Sequence, residues 1–479
     1  MDRLSELPEP IQLHILSFLP MRYVVRTVIL CKHWQRLWTN VQELYFSTEG
    51  FFPYEKYLAF VNRALICRGT CKIRRLRIEL YLNALSPKDY EGWISYAATN
   101  NVEDLFLEFD TYYYEWLPPQ CLYCNSSLKT LKLWGCRFVP DMQIRWNTLT
   151  KLSLWFSVLR NESFREIMVG APKLEFFELF SCWGYNNLTF DSPCLRTVNV
   201  CEYETIDYEN DEHDHGPILR ISAPNVRSLQ LTGALYRKCV LMNVSSVVHA
   251  TLDFRPYIKP FREEKLKWQK ENLMELGRSL KHVESLTLGI WCIEVLAQRE
   301  RRRIPPQIST NKCATLNIHM KEEDLLGIVN LLKGSPNLQT LIIDMEPKFW
   351  EEPRVPDLTD SENFCIDNVA NYVASQAEHV KCLLHHLKTV KITQFVEQHS
   401  VLPFVEFILK KGRVLENLVI IAKRGLDENS EEYLRIVKRW GFYEEENSPK
   451  SLLKVAQRLL SIPRASSRAV ITLRSRYTL

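Results

Sequence analysis

One short phrase recurs along this chain and constrains its fold more than any other feature. It is an apolar residue, two variable positions, a second apolar residue, one variable position and a third apolar residue. It reads Ile73-Leu76-Ile78, Val102-Leu105-Leu107, Leu128-Leu131-Leu133, Leu149-Leu152-Leu154, Leu174-Phe177-Leu179 and Leu195-Val198-Val200. It continues as Val226-Leu229-Leu231, Val283-Leu286-Leu288, Leu338-Leu341-Ile343, Leu387-Val390-Ile392 and Leu415-Leu418-Ile420, with weaker copies at Leu44/Phe46, Leu252/Phe254 and Leu316/Ile318. The alternation inside each phrase is that of a strand with one apolar face, which a single strand cannot bury. Stacking the units gives a parallel sheet, a continuous core and an open solenoid.

Many copies lie about 20–30 residues apart, the range of leucine-rich repeats. The phrases Ala171-Pro172-Lys173-Leu174, Ser192-Pro193-Cys194-Leu195, Ala223-Pro224-Asn225-Val226 and Ser335-Pro336-Asn337-Leu338 lead into strands. Proline there ends the preceding element and sets an extended approach. Alternate side chains must point away from the core, at Lys132 and Trp134, Ser153 and Trp155, Phe176, Glu178 and Phe180, Asn199 and Gln230. Trp134, Trp155 and Phe180 share one phase in consecutive units, so an aromatic column at strand spacing is expected as a target-binding surface, unless loops or termini cover it.

Composition narrows the function classes. Of 479 residues, 46% are hydrophobic and 25% charged, and the net charge of +4 gives no reason to expect nucleic acid as partner. Only 15 glycines stand against 23 prolines, which disfavours phosphate-cradling enzymes. The start lacks the basic end and apolar run of a signal peptide, and no stretch is apolar enough for a membrane span. The 14 cysteines are then expected to be reduced thiols of a cytoplasmic or nuclear protein, with Cys67, Cys71, Cys121 and Cys124 as small buried apolar residues. Cys67/Cys71 and Cys121/Cys124 have half-site zinc spacing, but neither has a matching second half, and no metal or cofactor is expected. The acidic stretch Glu202–His215 and the run Arg299-Glu300-Arg301-Arg302-Arg303 read as solvated loops.

The first residues form a different text. Pro8 and Pro10 suit a helix start, Ile11, Ile15, Leu16, Phe18 and Leu19 follow at helical spacing, and Pro20 ends the run. A second short helix is expected from Tyr23 to Ile29, and a third carrying Leu30, Trp34, Leu37 and Trp38 on one face. Asp2-Arg3-Leu4-Ser5-Glu6-Leu7-Pro8, Ile15-Leu16-Ser17-Phe18-Leu19-Pro20, Val25-Arg26-Thr27 and Trp34-Gln35-Arg36-Leu37-Trp38 together resemble a plant F-box. The resemblance implies docking to a Skp-family adaptor, and through it to a cullin and a RING subunit. Leu7, Pro8, Ile15, Leu16, Leu19, Pro20, Val25, Trp34, Leu37 and Trp38 match the motif, some facing the adaptor and others holding the helices together. Tyr23 and Val24 depart from it.

Near the other end, helices are expected at Val401–Lys411 and near Ser451–Leu460, and a strand from Arg468 to Leu473. His386-Leu387-Lys388-Thr389-Val390, Val414-Leu415-Glu416-Asn417-Leu418 and Ile462-Pro463-Arg464-Ala465-Ser466 resemble the FBD region of plant F-box proteins. The expected architecture is α/β: a three-helix F-box over residues 1–46, an open leucine-rich-repeat solenoid with parallel strands over 70–345, and an FBD region over 375–479 closing it. The resemblance implies a non-catalytic substrate-recognition subunit of a cullin-RING ubiquitin ligase. The alternatives are a repeat scaffold outside any ligase and an enzyme centred on His213, His215 or the cysteines.

Overall fold

The computed structural model describes residues 4–68, 72–81, 87–110, 115–139, 142–202, 216–256, 263–345, 369–395, 401–422 and 449–474. Two compact bodies emerge, Met1–Ser228 with Arg237–Ser246, and Leu229–Tyr236 with Val247–Leu479. The acidic stretch after Glu202, with His213 and His215, lies outside the described residues, as do Cys71 and residues 346–368.

Each copy of the apolar phrase falls on a strand. The first body holds β1 (Glu43–Phe46), β2 (Arg75–Tyr81), β3 (Asp104–Asp110), β4 (Thr130–Trp134), β5 (Lys151–Trp155), β6 (Phe176–Phe180), β7 (Asn187–Thr189), β8 (Thr197–Glu202) and β9 (Gly216–Ser222). After β10 (Ser228–Ala234), which runs into the second body, comes β11 (Arg237–Met242), again in the first. The second body adds β12 (His249–Arg255), β13 (Ser285–Leu288), β14 (Cys313–Asn317), β15 (Thr340–Asp344), β16 (Thr389–Phe395), β17 (Asn417–Ala422) and β18 (Val470–Arg474). Parallel pairing follows chain order, β1-β2-β3-β4-β5-β6-β8 in the first body and β12 through β18 in the second.

Register explains the phrase. Leu105, Leu131, Leu152, Phe177 and Val198 are successive partners across β3 to β8, and all are fully buried. The first apolar residue of each full copy, from Ile73 to Leu415, is buried ahead of its strand. The lead-in phrases bend as turns that carry it there, with Leu174 N–H donating to Ala171 O at 3.1 Å and Leu338 N–H to Ser335 O at 3.2 Å. Proline second in such a turn matches its fixed φ.

Backbone at the strand entry stacks as well. Arg74 O accepts from the N–H groups of Glu103 and Asp104, both at 3.0 Å. Lys312 O does so from Gln339 at 2.8 Å and Thr340 at 3.0 Å. Small polar side chains saturate the carbonyl of the first apolar residue in the preceding unit. Ser127 donates to Val102 O, Thr148 to Leu128 O, Ser246 to Val226 O, Asn311 to Val283 O and Ser466 to Leu415 O, at 2.7–2.9 Å. Buried carbonyls left unmet would each cost about 1–3 kcal/mol.

Return segments are helical in most units, such as Pro87–Thr99, Asn161–Gly170, Ile290–Arg301 and Asp324–Gly334. From residue 187 to 242 strands replace them: β7, β9 and β11 form a three-stranded parallel sheet in the order β11-β9-β7. Beside it, buried Arg237 donates from Nε to Glu202 Oε2 at 3.0 Å and from Nη1 to Tyr185 O at 2.7 Å, with Nη2 on Glu202 Oε1.

Two readings of the sequence are overturned. Arg299 to Arg303 is no solvated loop: the helix Ile290–Arg301 runs through its first half, and Glu300 is 4% exposed. Burial disfavours the Glu300 charge, yet donors from Lys333, Asn330 (2.8 Å) and Tyr372 (2.7 Å) outweigh it and hold the carboxyl below its ordinary range. Nor are the described cysteines of the two zinc-spaced pairs buried: Cys67 and Cys124 are exposed and Cys121 is half-buried, whereas Cys136, Cys182, Cys239, Cys292 and Cys382 are buried.

Removing the Arg237 guanidinium would leave Glu202 buried without its counter-charge, although the Tyr185 hydroxyl still donates to it at 3.2 Å. Arg237→Met should cost about 3–5 kcal/mol in chemical denaturation. Asp324, at the start of its helix, accepts from Lys321 N–H at 2.8 Å, but burial dominates and pushes its carboxyl up to about 6. A raised folded-state pKa makes the contribution of Asp324 fully present only below its unfolded value near 4, and that contribution is lost as pH rises through about 6. Asp324→Asn should therefore stabilise the chain by on the order of 2 kcal/mol at pH 7.5 and change little at pH 4, read from melts at both pH values.

Candidate protein-binding surfaces

The head is built of α1 (Glu9–Ser17), α2 (Met21–Arg26) and α3 (Lys32–Leu37). Pro8 stands at the cap of α1 and Pro20 at that of α2, each extended and with no side-chain cap bond. A 3-10 turn Thr27–Ile29 prolongs α2, and extended Cys31 breaks the chain before α3. Leu30 therefore does not share the α3 face, as its spacing had suggested, but is exposed.

α1 is amphipathic in an inverted sense. Its buried residues are Leu16 and Gln12, the latter 1% exposed, while Ile11 and Ile15 face outward. Gln12 Nε2 donates to Leu4 O at 3.0 Å and Leu7 O at 2.9 Å, and Gln12 Oε1 accepts from His33 Nε2 at 2.8 Å. Trp34 Nε1 donates to Ser5 Oγ at 2.8 Å. These bonds clamp the entering strand of chain onto α1 and α3.

The ten motif residues separate into three groups. Leu16, Trp34, Leu37 and Trp38 are buried and make the core of the head; Leu7, Pro20 and Val25 are half-buried; Pro8, Ile15 and Leu19 are exposed. Spacing alone did not mark Phe18 (72% exposed), Ile29 (86%) and Leu30 as surface. With Leu4, Ile11 and Tyr23 they give this small head many large exposed apolar side chains. The head leans on the first repeat through Met21 and Val24, both fully buried with α2 against β1, and through Arg68 Nη1 donating to Trp38 O at 3.4 Å. At Gly50 (φ +72°) a side chain would strike the Arg22 guanidinium, whose Nη1 donates to Glu49 O.

The expected aromatic column exists. Trp134 pairs in register with Trp155, and Trp155 with Phe180. Ring centroids are 5.5 Å and 4.6 Å apart, the second pair stacked. All three are half-buried. Part of the cover comes from Phe156, in the left-handed region at φ 47°, whose ring lies 4.6 Å from Trp134 and 5.4 Å from Phe180. Gly135, Phe156 and Ser181 all take positive φ directly after the column strands. Their N–H groups donate to Trp155 O, Phe180 O and Cys201 O. Lys132 Nζ sits 3.7 Å from the Trp155 ring centroid, and Trp155 Nε1 donates to Glu178 at 3.0 Å. A phenylalanine held where glycine is easier costs about 1 kcal/mol, so its ring contacts must return at least that much.

Among the described residues no cluster of three metal-ligating side chains occurs, and no helix is long and apolar enough to cross a membrane. Cys121 and Cys124 have neighbours other than ligands: Ser95 Oγ at 3.6 Å and Gln143 O at 3.8 Å.

A helical head presenting apolar side chains, followed by stacked parallel strands, defines an F-box joined to a leucine-rich-repeat array. Residues 4–45 match the F-box domain, and residues 68–446 match the At1g61320/AtMIF1, LRR domain. The chain belongs to the plant F-box/leucine-rich-repeat family. F-box/LRR-repeat protein At3g03360 of Arabidopsis thaliana is 29% identical over 358 residues, 71% of this chain and 70% of that protein. F-box/LRR-repeat protein At5g02910 of the same plant is 26% identical over 439 residues, covering 89% and 90%.

Phe156→Asn keeps a residue tolerant of positive φ and removes the ring. Relief of strain offsets lost ring contact, so the net cost should be under about 1 kcal/mol, while tryptophan emission shifts to the red as the column is uncovered.

Proposed function

We propose that this chain is the substrate-recognition subunit of a cullin-RING ubiquitin ligase of the SCF type, and that it carries no catalysis of its own. The observation that carries this reading is the exposed apolar surface of the head. A module this small does not leave Phe18, Ile29, Leu30 and Ile11 in water without a partner to cover them. In this reading Pro8, Ile15 and Leu19 join them in contacting a Skp-family adaptor, with Leu7, Pro20 and Val25 at the margin. Leu16, Trp34, Leu37 and Trp38 act from beneath by fixing the helices.

The repeat array then holds a protein target, with Trp134, Trp155 and Phe180 as contact residues. The FBD-like residues 375–479 end the array beyond a solenoid of residues 70–345, and residues 1–46 are the docking domain. The complex works in the cytoplasm or nucleus and uses no cofactor. Ubiquitin transfer takes place on the cullin-bound RING assembly. This chain contributes effective concentration by holding the target beside the charged conjugating enzyme.

Phe18→Asp with Ile29→Asp alters exposed residues only, so the melting temperature should hold while capture of purified Skp-family adaptors weakens at least about tenfold. A wild-type chain that captures none of a panel of such adaptors would overturn the ligase reading and leave a repeat scaffold. Comparing proteins retained by the full chain and by a form lacking residues 1–45, under proteasome inhibition, identifies the target.

A further inference from the structure

The second body ends on a strand whose outer side meets nothing among the described residues. β18 is last in the pairing order, bound to β17 in parallel with Leu418 opposite Ile471 and Ile420 opposite Leu473. In β15, β16 and β17 the corresponding core positions, Leu341/Ile343, Val390/Ile392 and Leu418/Ile420, are fully buried. Ile471 and Leu473 remain half-exposed, since among the described residues no further strand follows β18 in the pairing order. Val470 is 57% exposed, and the helix that precedes the strand, Pro449–Ser461, exposes Leu453 and Leu460, one above the other at i and i+7. The backbone is open too. Val470 N–H is spent on Glu416 O at 2.8 Å, so strand alternation turns the N–H groups of Ile471 and Leu473 to the outer edge.

Charge selects what can add there. From Pro449 to Leu479 the chain contains no Asp or Glu. Arg458 is neutralised by Glu406 at 2.8 Å, but Lys454, Arg468 and Arg474 are exposed and have no acidic partner among the described residues. Two copies of β18 joined edge to edge about a two-fold axis would bring their Arg468 and Arg474 side chains together, which disfavours a homodimer.

We infer that the β18 edge receives an extended acidic peptide segment of a partner protein, which adds to the sheet as a further strand. Its backbone would take up the outward N–H and C=O groups, alternate apolar side chains would cover Ile471 and Leu473, and its carboxylates would meet Arg468 and Arg474. The surface belongs to the second body, whereas the F-box head and the aromatic column belong to the first.

The test uses the full chain and a fluorescent peptide alternating glutamate with valine, with a lysine–valine peptide as control. The acidic peptide should bind and the basic one should not. Arg468→Glu with Arg474→Glu, on exposed side chains, should weaken binding at least about tenfold. Ile471→Pro, removing one outward N–H, should weaken it similarly in a chain whose melting temperature is retained. No binding, equal binding of the two peptides, or loss of the site through self-association of the chain would each overturn the inference. Undiminished binding to a folded Ile471→Pro chain would also overturn it, by showing that charge alone attracts the peptide. Adaptor capture by the charge-reversed chain reports the head independently.

Discussion

Everything in the array depends on one requirement: a parallel strand has a polar edge and an apolar face, and only the next unit can satisfy both. The shared carbonyls at Arg74, Lys129, Lys312 and Lys388 show the polar half, each accepting two N–H groups from the following unit. The apolar half is the in-register series from Leu105 to Val198. Because both are nearest-neighbour terms, stability accumulates unit by unit, and local defects stay local. That tolerance allows the return segments to change from helices to the β7, β9 and β11 strands while β5, β6 and β8 keep their register.

Strand positions were readable in the sequence because the phrase encodes them directly. Val401–Lys411 matches the expected helix, and the last helix and strand, Pro449–Ser461 and Val470–Arg474, differ from expectation by a residue or two. What escaped notice shares one property: its partners are distant in sequence. Glu300 looks solvated among arginines, and only the fold brings Asn330, Lys333 and Tyr372, the last 72 residues away, to its carboxylate. The small donors Ser127, Thr148, Ser246 and Asn311 do carry a local signal, since they lie at the approach to their strands. Their function is visible only once the preceding unit supplies a carbonyl. The three-stranded sheet had no lead-in phrase to announce it.

The head inverts the usual pattern, and for that reason periodicity located its helices but not its surfaces. A buried glutamine and exposed Ile11, Ile15 and Phe18 are costly for an isolated domain. They become reasonable when Gln12 pins the loops inside and the outer apolar residues are kept for a partner. The scarce glycines are used structurally in the same spirit. Gly50 admits the Arg22 side chain beside the head, and Gly327 lets its helix approach Ile293, whose carbonyl a Cβ would strike.

The first and last strands, β1 and β18, each lack a neighbour on one side among the described residues. At β1 the difficulty is met by the head, whose Met21 and Val24 are fully buried and whose backbone at Trp38 is tied to Arg68. At β18 the strand instead keeps half-exposed Ile471 and Leu473, together with cations that have no acidic partner among the described residues. Exposed edges invite indiscriminate strand pairing, and lysine or arginine at the edge is a common defence. Here the defence is selective, since positive charge repels a second copy of the same edge but favours an acidic strand. A terminus that only needed protection would gain more from a polar face than from exposed Val470, Leu453 and Leu460. Retaining apolar surface beside the charge is what distinguishes a docking edge from a guarded one.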